Sequence, residues 1–201
     1  MNHSIKRPEK SFYLQDPVTV AKQLLGKNIC RQTEKGLMIG KIVETEAYLS
    51  ENDPACHAYT RRTPRNSNMF EEGGRSYVYI IYGYYFCFNV VTGLKDKGEA
   101  VLIRAVEPID GLDIMSEYRT VEKIKDLTNG PSKLCIAMNI NKSQNGLDLI
   151  NGDELFITDN EIILEKDIVT TTRIGLTQGT DLPLRYYIRG NKYVSKVVKN
   201  L

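Results

Sequence analysis

From Met38 to Leu49, in GLMIGKIVETEAYL, apolar and polar side chains roughly alternate. That is the period of a strand with one face in a core. A second such run, EAVLIRAVEP, extends from Glu99 to Pro108. Between them, residues 76–91 read as two arms around Tyr82-Gly83. This predicts a β-hairpin with arms 76–81 and 84–91, Gly83 supplying the positive φ of a tight turn. Upstream, residues 13–28 (YLQDPVTVAKQLLGKN) predict a helix capped by Asp16, with Pro17 at its first position and Gly26 ending it. Residues 109–143 contain helical stretches, one begun by Pro131-Ser132 and carrying Leu134 and Cys135. From Asn151 onward short strands recur as ELFIT, EIILEK and LRYYIRG. Residues 50–75, rich in Asn, Asp, Pro, Gly and Arg, predict a long ordered loop or short helices, and loops of that length tend to be functional. No repeat, low-complexity tract or linker divides the chain. The pattern predicts one α+β domain over residues 1–201: a mixed, largely antiparallel sheet core, a protruding hairpin, flanking helices, and residues 1–10 as a flexible tail.

Composition narrows this picture without redirecting it. With 41% hydrophobic and 26% charged residues in 201, the chain can bury a sizeable core, and disorder is excluded as its general state. No apolar run approaches the roughly 18 to 20 residues of a membrane span. The opening MNHSIKRPEK lacks the apolar stretch of a signal peptide, so a cytoplasmic protein with no membrane partner is expected. Cys30, Cys56, Cys87 and Cys135 are scattered and never form CxxC, and His3 and His57 are the only histidines. Reduced core cysteines, no disulfide and no metal site are expected.

Net charge is only +2, but its distribution is uneven. Leu182–Leu201 holds Arg185, Arg189, Lys192, Lys196 and Lys199 with no acidic side chain, and RRTPRNSNMF carries three arginines. Two basic patches fit a polyanion footprint, and fit a solvated surface equally well on charge alone.

The hairpin segment SYVYIIYGYYFCFNVVTG gathers seven of the chain's seventeen aromatic residues. Tyr77 and Tyr79 share one strand face while Val78 and Ile80 share the other, which predicts core behind and a stacking surface in front. Tyr82 falls on the tip, where a large ring suits insertion between bases better than core packing. In KIVETEAYL, Glu44 and Glu46 lie on one strand face with Tyr48. Paired carboxylates also occur on solvated sheets, but one beside aromatic rings can serve as a general base. His57 is the internal histidine, and Cys56 beside it would point the opposite way on an extended chain, against a Cys-His nucleophile pair. Phosphate-loop, dinucleotide, serine-hydrolase and HExxH patterns do not occur.

The segments VETEAYL, TPRNSNMF, YVYIIYGYYFCFNV, VLIRAVEP, GPSKLC and LRYYIRG, in this order, resemble the alkyladenine (3-methyladenine) DNA glycosylase family, across about residues 12–197. The resemblance implies a cofactor-free hydrolase that excises alkylated or deaminated purines from double-stranded DNA, acting as a monomer. It implies Glu46 as the base that activates water, and Arg104 as the group that holds that water and the carboxylate. Tyr48, His57 and Tyr79 would stack on and bond the flipped base, Asn89 would reject the amino group of normal guanine, and Tyr82 would fill the vacated stack. Arg65, Met69, Tyr85, Lys133 and Arg189 would contact the DNA backbone or groove. No lysine adjoins the tyrosine wall as a Schiff-base nucleophile, so a monofunctional glycosylase is expected.

The physics runs parallel to the resemblance. A nucleotide in a duplex must be flipped out before its glycosidic bond can be reached, at a cost of roughly a few kcal/mol. Tyrosine faces attract cationic alkylated bases by about 0.5 to 2 kcal/mol. One carboxylate can both take a proton from water and stabilise an oxocarbenium-like sugar. The main rival is a non-catalytic module that stacks nucleic-acid bases on the same wall, and Glu46 with Arg104 argues against it. A second, a nucleosidase for free purine nucleosides, gives Tyr82 and the basic patches nothing to do. Of the two carboxylates, Glu44 is expected to be far more tolerant of replacement by Gln than Glu46.

Overall fold

A computed structural model describes residues 6–196. The short helix α1 (Lys10–Tyr13) leads into α2 (Pro17–Leu24), where the Asp16 carboxylate accepts from Thr19 N–H at 2.9 Å and Pro17 occupies the first turn. Pro17, Val20, Ala21 and Leu24 are buried, the i, i+3, i+4, i+7 stripe of a helix lying on a core. The helix is shorter at both ends than residues 13–28 predict; Gly26 follows it at φ 85°. Residues 6–10 are packed against the body rather than loose. Arg7 donates to the carbonyls of Ile150 and Gly152 and lies over the Phe156 ring, and Pro8 is buried.

Eight strands follow among the described residues: β1 (Asn28–Thr33), β2 (Gly36–Tyr48), β3 (Ser76–Ile81), β4 (Tyr85–Thr92), β5 (Glu99–Asp110), β6 (Leu155–Thr158), β7 (Ile168–Thr171) and β8 (Arg185–Ile188). They form one sheet in the order β3-β4-β5-β2-β1-β6, with β8 joining β2 to β7, and every pairing is antiparallel. Helices α3 (Leu112–Tyr118) and α4 (Pro131–Ala137) complete an α+β fold; α4 lies against β4 and β5, burying Leu134 and Cys135.

Two departures from the sequence pattern stand out. EIILEK is not a strand: no regular structure forms before the 3-10 turn at Glu165–Asp167, and Ile162 and Leu164 are exposed. Glu161 N–H is spent on the Gly26 carbonyl instead, where the two backbones approach too closely for any Cβ on Gly26. The unforeseen strand β7 pairs with β8. All four cysteines are free and buried. No helix among the described residues is long and apolar enough to cross a membrane.

Strand β2 organises the site. Its first half pairs with β1, and Glu44–Glu46 pair with β8 on one side and β5 on the other. The β2–β5 register shifts on both sides of Glu44, and Arg104 falls at that irregularity, between the pairs Glu44↔Ala105 and Thr45↔Ile103. Bulges of this kind re-aim side chains beside functional sites.

Candidate active site

Glu44 and Glu46 are both fully buried. An isolated carboxylate could not remain ionised there, so each requires partners. Glu46 has three: Oε1 accepts from Ile174 N–H (2.9 Å) and lies 3.1 Å from Arg104 Nη1, and Oε2 accepts from the Tyr48 hydroxyl (2.9 Å). Glu44 has four: Arg104 Nε at 3.1 Å, Arg185 Nε at 2.7 Å, and the backbone N–H and hydroxyl of Ser195 at 2.7 and 2.9 Å. Arg104 bridges the two. Burial alone would lower its pKa, but the facing carboxylates outweigh burial and the net shift is upward, so it stays charged. Tyr48 is shifted well up by burial and then by Glu46, and stays a donor.

Beyond Tyr48 and Arg104 opens a cleft of about 800 Å³, bordered by Tyr79, the hairpin tip, Pro131 and the 174–176 loop. Behind it is a chamber of about 60 Å³ walled by Tyr48, His57, Tyr77, Tyr79, Met69 and Asn89. The rings of Tyr77 and Tyr79 lie 5.5 Å apart and tilted by 31°, and His57 meets Tyr79 edge-on at 4.5 Å. His57 Nδ1 and the Tyr77 hydroxyl share a 2.9 Å hydrogen bond. The histidine keeps an exposed edge, yet burial among the rings, and secondarily Arg65, lowers its pKa. Asn89 Nδ2 donates to the carbonyl of its cross-strand partner Tyr77 at 3.0 Å, which fixes its amide in the chamber wall.

The hairpin bears Tyr82 at its tip, 81% exposed. Tyr82 and Gly83 have φ of 51° and 82°, and Tyr84 N–H bonds the Ile81 carbonyl, a mirror-image turn that twists with its strands. Tyr84 is also exposed, its ring 4.4 Å from that of Tyr85.

The residues singled out in the sequence are thus largely brought together, with exceptions. Met69 is buried in the chamber wall and offers no surface to a DNA groove. Arg189 is exposed but lies beyond Tyr187, at the end of β8 that runs away from Tyr48 and the cleft. Lys133 donates to Asn129 from the first turn of α4, close to the cleft edge at Pro131, and Arg65 borders the cleft while donating to the Ile80 carbonyl. The C-terminal basic patch loses Arg185, which is an internal ligand of Glu44; Lys199 lies outside the described residues. In the other patch, Arg62 is neutralised by Asp96 and Glu71.

Tyr77, set beside Tyr79 on one strand face by alternation, also walls the chamber. Other residues were not foreseen. Ile174 and Leu176 lie in a segment without periodicity, and nothing local signals that Ile174 meets Glu46 or that Leu176 separates chamber from cleft. Among the described residues no group of His, Cys, Asp or Glu is gathered to hold a metal ion.

Residues 11–192 match the family described as Methylpurine-DNA glycosylase. A protein of Carboxydothermus hydrogenoformans named "Putative 3-methyladenine DNA glycosylase" is 51% identical over 187 residues, covering 93% of this chain and 97% of that protein. Proteins of the same name from Francisella tularensis and Clostridium beijerinckii are each 49% identical; the alignments cover 89% and 93% of this chain, and 93% and 98% of those proteins. With a family match across nearly its whole length and relatives at half identity, the chain belongs to the methylpurine-DNA glycosylase family.

Proposed function

We propose that this DNA repair glycosylase flips a damaged purine of the 3-methyladenine type out of duplex DNA and hydrolyses its N-glycosidic bond with water activated by Glu46. The observation that carries the reading is a fully buried carboxylate held by Arg104, Tyr48 and Ile174 directly behind an aromatic cleft. A module that only stacks bases has no use for such a group.

The base would lie between Tyr48 on one side and His57 and Tyr79 on the other, with electron-rich faces toward a cationic ring. Tyr82 would occupy the gap left in the helix. Because the chamber is far smaller than the roughly 150 Å³ that admits even benzene in an engineered cavity, it must widen to take a purine. Leu176, next to Gly175 in the positive-φ region, is the wall best able to move.

Water must also reach Glu46, which has no exposed surface. Glu44 holds Arg104 at Nε, and because the guanidinium is a rigid plane, the Nη1 contact to Glu46 opens to water only as the whole group tilts about that anchor. Water entering there meets a carboxylate oxygen on one side and a guanidinium on the other. Glu46 takes its proton as its oxygen bonds the sugar C1′, the C1′–N bond breaks, and the electron pair leaves on the purine. A positively charged base leaves without prior protonation, whereas a neutral one such as hypoxanthine needs a proton.

The test is base release from duplexes bearing one lesion, scored as abasic sites. Glu46→Gln should abolish release and keep lesion binding within roughly tenfold, as expected for a group needed only in the chemical step. Full activity of Glu46→Gln would sink the mechanism.

A further inference from the structure

Arg173 belongs to no strand or helix, yet its side chain is completely enclosed. It grips Asp53 with both arms of its fork, Nη1 to Oδ2 at 2.7 Å and Nη2 to Oδ1 at 2.5 Å, and Nη1 also donates to the Ala47 carbonyl at 3.0 Å. Its guanidinium carbon lies 4.6 Å from the centre of the Tyr48 ring. The next residue is Ile174, whose N–H holds Glu46. Asp53 also accepts from Leu49 and Ala55 N–H, at 3.1 and 3.2 Å, and so shapes the loop that carries His57. One ion pair therefore joins the base-stacking ring, the amide that bonds the carboxylate, and the histidine loop.

Stability alone is a weak reason for this pair. Buried ion pairs recover little beyond their desolvation, and well-packed apolar side chains often do as well. What an apolar pair cannot supply is a planar fork that fixes two loops in one orientation and presents a flat face to an aromatic ring. Burial works against Arg173's charge, and Asp53 outweighs it, so the net shift is toward the charged form. Neither residue borders the main cleft, so any effect on chemistry passes through Tyr48, Ile174 and the loop that carries His57.

We propose that Arg173, clamped by Asp53, is a positioning residue for base excision: it backs the Tyr48 ring and fixes the Ile174 N–H on Glu46. This rests on the reading of Glu46 as the base and Tyr48 as a wall of the base pocket. Without the fork, the Tyr48 hydroxyl and the Ile174 amide lose their common anchor, and Glu46 loses its aim.

The experiment compares Arg173→Lys, Arg173→Gln and Asp53→Asn with wild type by single-turnover release of hypoxanthine from a duplex, by affinity for the same duplex, and by melting temperature. Lysine keeps the charge but not the fork. The expected result for Arg173→Lys is a rate loss of ten- to a hundredfold, the scale that ångström misplacement produces. Its affinity should stay within about fivefold, and it should melt nearer wild type than Arg173→Gln. If Arg173→Gln does not fold, Asp53→Asn, which weakens the fork while keeping its shape, should lose rate in the same sense. Release by Arg173→Lys within twofold of wild type would overturn the inference and leave Arg173 as a buried charge. Glu46→Gln, run in parallel, separates the two readings. If it stays active the base assignment fails, whereas a dead Glu46→Gln beside a fast Arg173→Lys overturns only the positioning role.

Discussion

At the residue scale, Glu44 reverses what its spacing from Glu46 suggests. Sequence reading treats it as the more dispensable carboxylate, but it has no exposed surface and four hydrogen-bond donors, two of them guanidinium groups. Glu44→Gln leaves Arg104 and Arg185 short of one buried charge. The cost should be on the order of 3 to 5 kcal/mol, measurable by urea unfolding. Release should slow as well, because Arg104 loses its tether; a variant with wild-type stability and rate would show that Arg104 needs no anchor. His57 sets a different expectation. Its pKa is lowered by burial, with Arg65 second, so the ring is neutral at pH 7 and gains a proton only as pH falls below the ordinary value of about 6.5. A protonated His57 repels a cationic alkylated base but not a neutral one. Affinity for 7-methylguanine duplexes should therefore fall on acidification more than affinity for hypoxanthine duplexes, and His57→Gln should abolish the difference. The sign for stability follows likewise. The unfolded chain binds this proton more readily, so the contribution of His57 is full above about pH 6.5 and is lost as pH falls through the lowered folded value.

At the scale of elements, what the sequence revealed depended on whether the physics was local. Alternation located β2, β5 and both hairpin arms, and the Asp16-Pro17 cap located α2, because a strand face or a first helical turn depends on near neighbours. EIILEK misled because Ile162 and Leu164 reach solvent, with only Ile163 packed on the core, while its backbone is bonded to Gly26, more than a hundred residues away. The site divides the same way: Glu46, Tyr48 and Tyr79 follow from period two, whereas Ile174 and the Arg173–Asp53 pair exist only because distant loops meet. The hairpin tip allows a test at this scale. Tyr82 occupies the left-handed region, where a bulky side chain is strained by about 1 to 3 kcal/mol and asparagine is favoured before glycine. Tyr82→Asn should thus melt at or above the wild-type temperature while losing lesion affinity by about 1 to 3 kcal/mol, the worth of a stacking aromatic. A lowered melting temperature with unchanged affinity would make the ring a packing element and end its role as a wedge.

At the scale of the whole molecule, the charge distribution must be read after internal pairing, not before. The sequence shows two basic patches, but Arg185 serves Glu44 and Arg62 is already engaged by Asp96 and Glu71. Arg65 is different: it is exposed, borders the cleft, and its bond goes to the neutral carbonyl of Ile80, so its charge remains free to meet a phosphate. Each phosphate that a protein neutralises releases condensed counterions, and the slope of log affinity against log salt falls by about 0.9 per contact. Arg65→Ala should therefore weaken binding to damaged and undamaged duplexes by similar factors and reduce the magnitude of that slope by about one. Arg62→Ala should leave the slope nearly unchanged, since breaking its pairs frees Asp96 and Glu71 without removing a phosphate contact. Titrations of both variants at several salt concentrations decide the matter. Equal slopes for Arg65→Ala and wild type would mean that the DNA backbone does not pass over this edge of the cleft, and the hairpin would then have to enter the duplex from another direction.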